Sequence, residues 1–496
     1  MEQDVIEYLN LLEPESVGAI TGFHIVEHLP FSTLVHLLDE CLRVLISGGI
    51  AIFETPNPEN LMMGSCNFYT DPTHINPIPP HTLSFMLTQR GFVETTVIRL
   101  SPLASFPDTK VIDPELRQVV DSYYKEQNYA VIGKKFCHMK IIIALPLLSY
   151  NDAICNDVRQ QAKLLKKAGF DTVIYASESK QNLTQQLIPL DELKEFIKDQ
   201  DNLLLYHHGV YWEEGNVILR EAKCTVWLKY HNITPSHFFK DYDLSNYYAT
   251  QAGELQTRKF VWNPKIEKYI GDSAFNCDCL KQLGVNPHKL AIIPPLMMIE
   301  EYSKANIDSD LLSNIQNGKK HFLTVGRVVP NKGHSHLIQT IRNYVNFFGP
   351  EVQLHIIGSL SMQDKRYYYE LERLINRFHL GEQIIFHQNV NFDQMHTYYS
   401  VCDAFLMMSE HEGFCVPIAE SQFHELPIIA LNRGAVEETL GPDQIIFDEP
   451  EYYDFAVALH RVAEDQSVKE HLTTSGSKNF HRYRSENILQ QLLSLF

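Results

Sequence analysis

Short apolar runs alternate along this chain with longer stretches whose apolar positions recur three and four residues apart. The first kind predicts strands buried on both faces, the second amphipathic helices. In residues 1–135, strands are expected at Val17 to Ile25, Ile50 to Glu54, Val93 to Leu100 and Tyr129 to Ile132. Helices are expected at Ser32 to Leu45 and around His81 to Arg90, with Gly48-Gly49 and Gly91 as turns. The pattern reads as half of a doubly wound sheet built from βα units.

A new start is visible at Met139. Lys140 to Leu145 predicts a short buried strand. Asn156 or Asp157 is a plausible N-cap for the helix after it, with a stripe of Val158, Ala162 and Leu165 and a stop at Gly169. Further strands are expected at Val173 to Ala176, Asn202 to Tyr206, Thr225 to Tyr230, Lys268 to Gly271 and Leu290 to Ile293. Pro294-Pro295 and the polar stretch Ser303 to Lys319 read as a connector. A third series follows at His321 to Val325, Gln353 to Ile357, Ile384 to His387, Ala404 to Met408 and Pro427 to Ala430. Helices are expected at Tyr367 to Phe378, Tyr452 to Ala463 and Glu486 to Phe496. The expected domains are 1–135, 139–308 and 309–496, the last two enclosing a cleft. Ligands in such sheets bind beyond the carboxyl ends of the strands.

Composition narrows the classes. With 496 residues, two to four domains are expected. A net charge of -19 argues against a general nucleic-acid binder. No apolar run reaches the length of about 18 residues that a membrane span needs. The acidic opening Met1-Glu2-Gln3-Asp4 is unlike a signal peptide. Nine scattered cysteines fit a reducing compartment, so a cytoplasmic location is expected. Lys163, Lys166 and Lys167 read as a solvated helix face or as a peripheral contact with an anionic inner membrane.

Three constellations carry chemistry. The strand ending at Val325 leads into Gly326-Arg327 and then Lys332-Gly333. Glycine lets backbone approach a ligand, and the two cations suit phosphate oxygens. The alternative is a solvated basic loop. The second constellation is Glu412 and Glu420, joined by Gly413-Phe414-Cys415-Val416-Pro417, where a loop turns into a helix whose first N–H groups suit phosphate. The third lies in residues 1–135: Gly22-Phe23-His24-Ile25-Val26-Glu27-His28-Leu29, Leu42 to Gly49, and Glu54-Thr55-Pro56-Asn57-Pro58. Asp71-Pro72-Thr73-His74 has the makings of a remnant acceptor or metal site. Asp308-Ser309-Asp310 and Asp241-Tyr242-Asp243 have the D-x-D form of metal-chelating carboxylates, but neither follows a convincing strand end.

On Gly326-Arg327, Lys332-Gly333, Gly358, Glu412 with Glu420, Glu425 to Ile429 and Gly434 to Glu438, residues 139–496 resemble a retaining glycosyltransferase of GT-B family 4. The resemblance implies a pair of Rossmann-like domains and metal-independent sugar transfer from a nucleotide-diphosphate donor. Arg327 and Lys332 would bind the diphosphate beside Gly326, and Glu412 the sugar. Glu420 would bind the ribose, and the amides of Gly413, Phe414 and Cys415 would face sugar and phosphates. His231, in Tyr230-His231-Asn232, stands where the family often carries a histidine near the donor sugar; it equally reads as a structural histidine at a strand end. His207-His208 is a weaker candidate. Asn151-Asp152-Ala153 replaces the paired glycines many relatives carry there, which puts the acceptor contact in doubt. Arginine and lysine take the metal's role in that family, so no metal is expected.

Residues 1–135 resemble the second half of a class I S-adenosylmethionine methyltransferase. The glycine-rich cofactor turn is missing, so no S-adenosylmethionine is expected to bind and the fold begins with an incomplete Rossmann-like half-domain. A mannose-type donor, a glycan or lipid-linked acceptor, a role in bacterial surface polysaccharide and partners among polysaccharide-assembly enzymes are implied by resemblance alone. The alternatives are a non-catalytic sugar-nucleotide-binding scaffold and a methyltransferase completed by another chain.

Overall fold

The computed structural model describes residues 4–101, 126–135, 137–150, 152–179, 187–360 and 365–496. Asn151 of the expected acceptor loop lies outside them. The chain forms two compact units: Met1–Lys140 with Leu165–Asp171, and Ile141–Leu164 with Thr172–Phe496.

In the first unit, β1 (Val17–Phe23), β2 (Leu45–Pro56), β3 (Phe92–Leu100) and β4 (Asn128–Lys135) form a sheet in the order β1-β2-β4-β3. β1 and β2 are parallel. β4 is inserted between β2 and β3 and antiparallel to both. This corrects the expectation of uniform βα units. Tyr129, Ala130 and Val131 are all buried, and an apolar run carries no direction. The helix Phe31–Val44 covers the sheet with Leu34, Leu37, Leu38, Cys41 and Val44.

The second unit holds two six-stranded sheets. The first contains β5 (Cys137–Leu148), β6 (Phe170–Ser179), β7 (Leu203–His208), β8 (Thr225–Tyr230), β9 (Ile266–Gly271) and β10 (Leu290–Ile292), in the order β10-β9-β8-β7-β5-β6. The second contains β11 (Lys320–Val325), β12 (Val352–Ile357), β13 (Ile384–His387), β14 (Ala404–Met407), β15 (Ile428–Leu431) and β16 (Ile445–Phe447), in the order β13-β12-β11-β14-β15-β16. β11 pairs in parallel with β12 and β14, as β7 does with β5 and β8. Each sheet reverses its strand order once, the geometry that opens a ligand crevice at the carboxyl ends.

Several local expectations change. The helix after β5 starts at Ala153, and Asp152 caps it by accepting from the Cys155 amide at 3.0 Å. Asp157 points inward and is fully buried, so it serves tertiary structure and not the cap. The stretch expected to be a connector contains the helix Ser309–Ile315, capped by Asp308. Asp243 likewise caps Leu244–Val261 through the Ser245 and Asn246 amides. One acid of each D-x-D is therefore occupied by a helix start. The unexpected helix Gln466–Phe480 buries little beyond Leu472, Gly476 and Phe480, too sparse a stripe to read from sequence. The chain ends by returning to the first lobe, where the Phe496 ring lies 4.8 Å from Trp227.

A candidate nucleotide-sugar site

The loop after β11 is pinned by buried Val328 and Val329 and closes in a 3-10 turn, Pro330–Lys332. Gly333 has φ +64, and a Cβ there would sit 1.9 Å from the Met408 carbonyl oxygen, so only glycine fits. This packs the loop against the chain leaving β14, where the Glu410 amide donates to the Asn331 carbonyl at 2.8 Å. Lys332 Nζ then meets Glu412 Oε1 at 2.6 Å, across 80 residues of sequence. Arg327 is exposed, and its guanidinium has no ion-pair or hydrogen-bond partner among the described residues.

Glu412 is supported from below. Its carbonyl accepts from the Ala435 amide at 2.9 Å. Gly434, at φ +67, passes so close that a Cβ would lie 2.2 Å from the same oxygen. The Gly413 carbonyl accepts from Ser273 Oγ at 2.7 Å, and the Phe414 carbonyl from Thr439 Oγ1 at 2.6 Å. Cys415 adopts a left-handed φ of 72 and starts the helix Val416–Phe423, with Pro417 in the first turn. The N–H groups of Gly413, Phe414 and Cys415 meet no acceptor among the described residues. Three unpaired amides at a helix start, beside Lys332, form a cationic cradle for an anion.

Glu420 projects from that helix. Tyr399 donates to Oε2 at 2.7 Å and Tyr302 to Oε1 at 3.4 Å. Burial pushes the Glu420 carboxyl above its ordinary range, against the pull of the two hydroxyls. Tyr302 is held by stacking on Phe392, with ring centres 4.3 Å apart.

The facing lobe carries a buried charge network. Lys229, 1 % exposed near the carboxyl end of apolar β8, pairs with Asp157 Oδ2 at 2.7 Å and Asp272 Oδ1 at 3.5 Å. Asp157 Oδ1 accepts from Gln161 Nε2 at 2.8 Å, which turns Gln161 Oε1 toward His207 Nε2 at 3.2 Å. His207 therefore holds its proton on Nε2. Burial, then the charges of His231 and Lys229, hold His207 well below its ordinary value, so its Nδ1 is bare. That nitrogen accepts from His231 Nε2 at 2.8 Å, and His231 Nδ1 donates to Asp272 Oδ2 at 2.7 Å. Burial disfavours the Asp272 charge; His231 and Lys229 outweigh it and hold the carboxyl low.

His231 thus spends both ring nitrogens inside the protein, and its side chain is 4 % exposed. Its backbone oxygen lies beside Gly413, 3.2 Å from where a Cβ would stand. His208 bonds Thr257 Oγ1 instead, at 2.8 Å. Sequence reasoning missed Lys229, Asp157, Asp272 and Gln161. A lysine inside the apolar run Val226 to Tyr230 was the available signal, since such a charge needs a buried partner. The lobes also meet where both Glu438 oxygens accept from the Ala274 amide, at 2.9 and 2.8 Å, and where His411 Nε2 lies 3.2 Å from Asn232 Oδ1.

Two parallel Rossmann-like sheets facing across these loops are the GT-B glycosyltransferase architecture, and solved structures of that class share it. Alr3699/HepE from Anabaena, solved with UDP-glucose, aligns with a TM-score of 0.56 over 72% of this chain and 99% of its own, at 17% identity. Sucrose-phosphate synthase from Thermosynechococcus elongatus gives a TM-score of 0.56 over 72% of this chain and 98% of its own, also at 17% identity. Residues 312–479 match the family model for glycosyl transferases group 1. Trehalose synthase of Pyrococcus furiosus is 25% identical over 193 residues, covering 36% of this chain and 44% of that protein. Lipopolysaccharide 1,2-N-acetylglucosaminetransferase of Salmonella typhimurium is 24% identical over 210 residues, covering 41% and 55%. The chain spans about half the length of the curated relatives it matches. Among the described residues, no helix is long and apolar enough to cross a membrane.

Proposed function

We propose that this chain is a retaining, metal-independent glycosyltransferase that moves a sugar from a nucleotide diphosphate to a hydroxyl. The observation that carries the reading is the cradle of unpaired Gly413, Phe414 and Cys415 amides beside Lys332, with Arg327 exposed on the loop that also carries Lys332. As the glycosidic bond stretches, negative charge builds on the leaving diphosphate. Preorganised donors at that point lower the barrier more than any other single device. Lys332 leaves or shares its bond with Glu412 to meet the phosphate. Glu412 is then free to accept hydrogen bonds from sugar hydroxyls. Glu420, already oriented by Tyr399 and Tyr302, accepts from the ribose. His231 frames the sugar side of the cleft through its backbone beside Gly413. The acceptor takes the sugar on the face the diphosphate leaves, and a departing phosphate oxygen takes the acceptor's proton.

The finer assignment is a mannose-type donor and a glycan or lipid-linked acceptor in bacterial surface polysaccharide assembly, in the cytoplasm or peripheral to the inner membrane. The donor-side domain is 309–496 and the acceptor-side domain 139–308. Residues 1–135 serve as a docking or structural module without S-adenosylmethionine. A thermal-shift screen with UDP-, GDP- and dTDP-sugars tests the reading. A ligand at about 100 times its Kd stabilises by about 2.7 kcal/mol. One nucleotide family should raise the midpoint clearly, with turnover on a suitable hydroxyl. Binding without transfer or slow donor hydrolysis favours a scaffold, and no response to any donor refutes the proposal.

A further inference from the structure

The first unit contains a second, separate constellation. Single ligating atoms of Glu27, His28 and His74 lie within 4.8 Å of one another, just past the carboxyl end of β1. The hydrogen bonds around them fix the tautomers. His74 Nδ1 faces the Phe68 carbonyl at 2.6 Å and must donate, which leaves Nε2 as the lone-pair nitrogen. Thr73 Oγ1 gives its only hydrogen to Asp71 Oδ1 at 2.6 Å, so it accepts from His28 Nδ1 at 3.0 Å, and His28 Nε2 is bare as well. The nearest acid to His74 Nε2 is Asp71 Oδ2, at 3.9 Å.

Glu27 is fully buried. Its oxygens accept from Thr55 Oγ1 at 2.9 Å and His24 Nδ1 at 3.2 Å, and no lysine or arginine pairs with it among the described residues. Buried carboxylates are held by partner charges or by metals. The Glu27 carbonyl accepts from the Ile75 amide at 2.8 Å, which keeps the His74 loop in place.

We propose that Glu27, His28 and His74 bind one divalent transition-metal ion of the zinc class. Two neutral imidazoles and a carboxylate are the donor set such ions take, with His and carboxylate bonds of about 2.0 to 2.2 Å. Each ligand is already oriented by an outer partner: Phe68 for His74, Thr73 for His28, and Thr55 with His24 for Glu27. That is the second shell of a metal site. Three protein ligands leave a position for water or a substrate oxygen, as in catalytic rather than structural zinc sites.

The only other group of this kind among the described residues, Asp157 with His207 and His231, makes the contrast clear. There every ring nitrogen has a protein partner and Lys229 supplies the cation. The Glu27 group lacks both.

The test uses the full chain after washing with a chelator and titrates it with Co2+, followed by Zn2+. One equivalent of Co2+ should bind, give visible ligand-field absorption, and be displaced by Zn2+. His28→Gln and His74→Gln should each weaken binding at least tenfold, Thr73→Val about tenfold, and His207→Gln should retain it. Absence of stoichiometric uptake by the unaltered chain overturns the proposal, independently of how any variant folds. So does uptake that survives both His28→Gln and His74→Gln, or uptake lost only in His207→Gln.

Discussion

The two lobes of the second unit handle charge in opposite ways. In the lobe of β11 to β16, Arg327 stands in solvent, Lys332 shares one bond with Glu412, and three amides have nothing to donate to among the described residues. In the facing lobe, Lys229, Asp157, Asp272, His207 and His231 satisfy one another almost completely out of solvent. Unspent charge at loop ends is capacity for a ligand. Spent charge in a core fixes shape, and its removal leaves an orphan. On the proposed reading, the lobe facing Gly413 is a frame and the lobe carrying Glu412 the chemical surface.

The largest effect that could break this contrast is on activity. Glu412→Ala should lower transfer by at least about 10³-fold, or about 4 kcal/mol, without unfolding the chain. Turnover equal to the parent, measured with radiolabelled donor, would remove Glu412 from the chemistry. Next is Lys229→Met, which strands two buried carboxylates. Urea denaturation should register a loss of about 3 to 5 kcal/mol. A loss below about 1 kcal/mol would mean that the facing lobe does not depend on its network.

Acid sharpens the comparison further, because the sheet of β11 to β16 holds imidazoles whose charging burial disfavours. His321, His355 and His387 form a ladder across β11, β12 and β13, with nitrogens 2.9 and 3.0 Å apart. Burial pushes His355 down to about 3, against about 6.5 in the unfolded chain. Between those values the unfolded state binds the proton and the folded state does not. Stability is therefore full above about pH 6.5 and is lost as pH falls toward 3, by up to about 1.4 kcal/mol per unit for this residue. His355→Leu should flatten the urea midpoint between pH 6.5 and 4; an unchanged slope would contradict the assignment. The smallest effect is Tyr302→Phe. It removes a 3.4 Å bond to Glu420 and should shift donor affinity, read by calorimetry, by less than about threefold.

The sequence conveyed the fold class because apolar runs and helical stripes repeat through the second unit with little interruption. It conveyed strand positions better than directions, as the antiparallel β4 shows. It missed β16, which has three residues, and the polar helix Gln466–Phe480. Donor-side candidates were visible because Glu412 through Glu420 lie in one stretch whose glycine and proline mark a loop entering a helix. The facing network was not. Its members come from the helix Ala153–Lys167, the ends of β7, β8 and β9, and a loop, and no local pattern joins Asp157 to Lys229 or Asp272. His231 shows the limit: the sequence left a contact near the donor sugar and a structural histidine equally open, and only the structure shows its ring bonded to Asp272 and His207.

A crystal structure with an intact nucleotide-diphosphate sugar tests the central claim most directly. The account predicts diphosphate oxygens about 3 Å from Lys332 Nζ, from the Arg327 guanidinium and from the amides of Gly413 to Cys415. A diphosphate seated elsewhere, with those groups still unengaged, would contradict it.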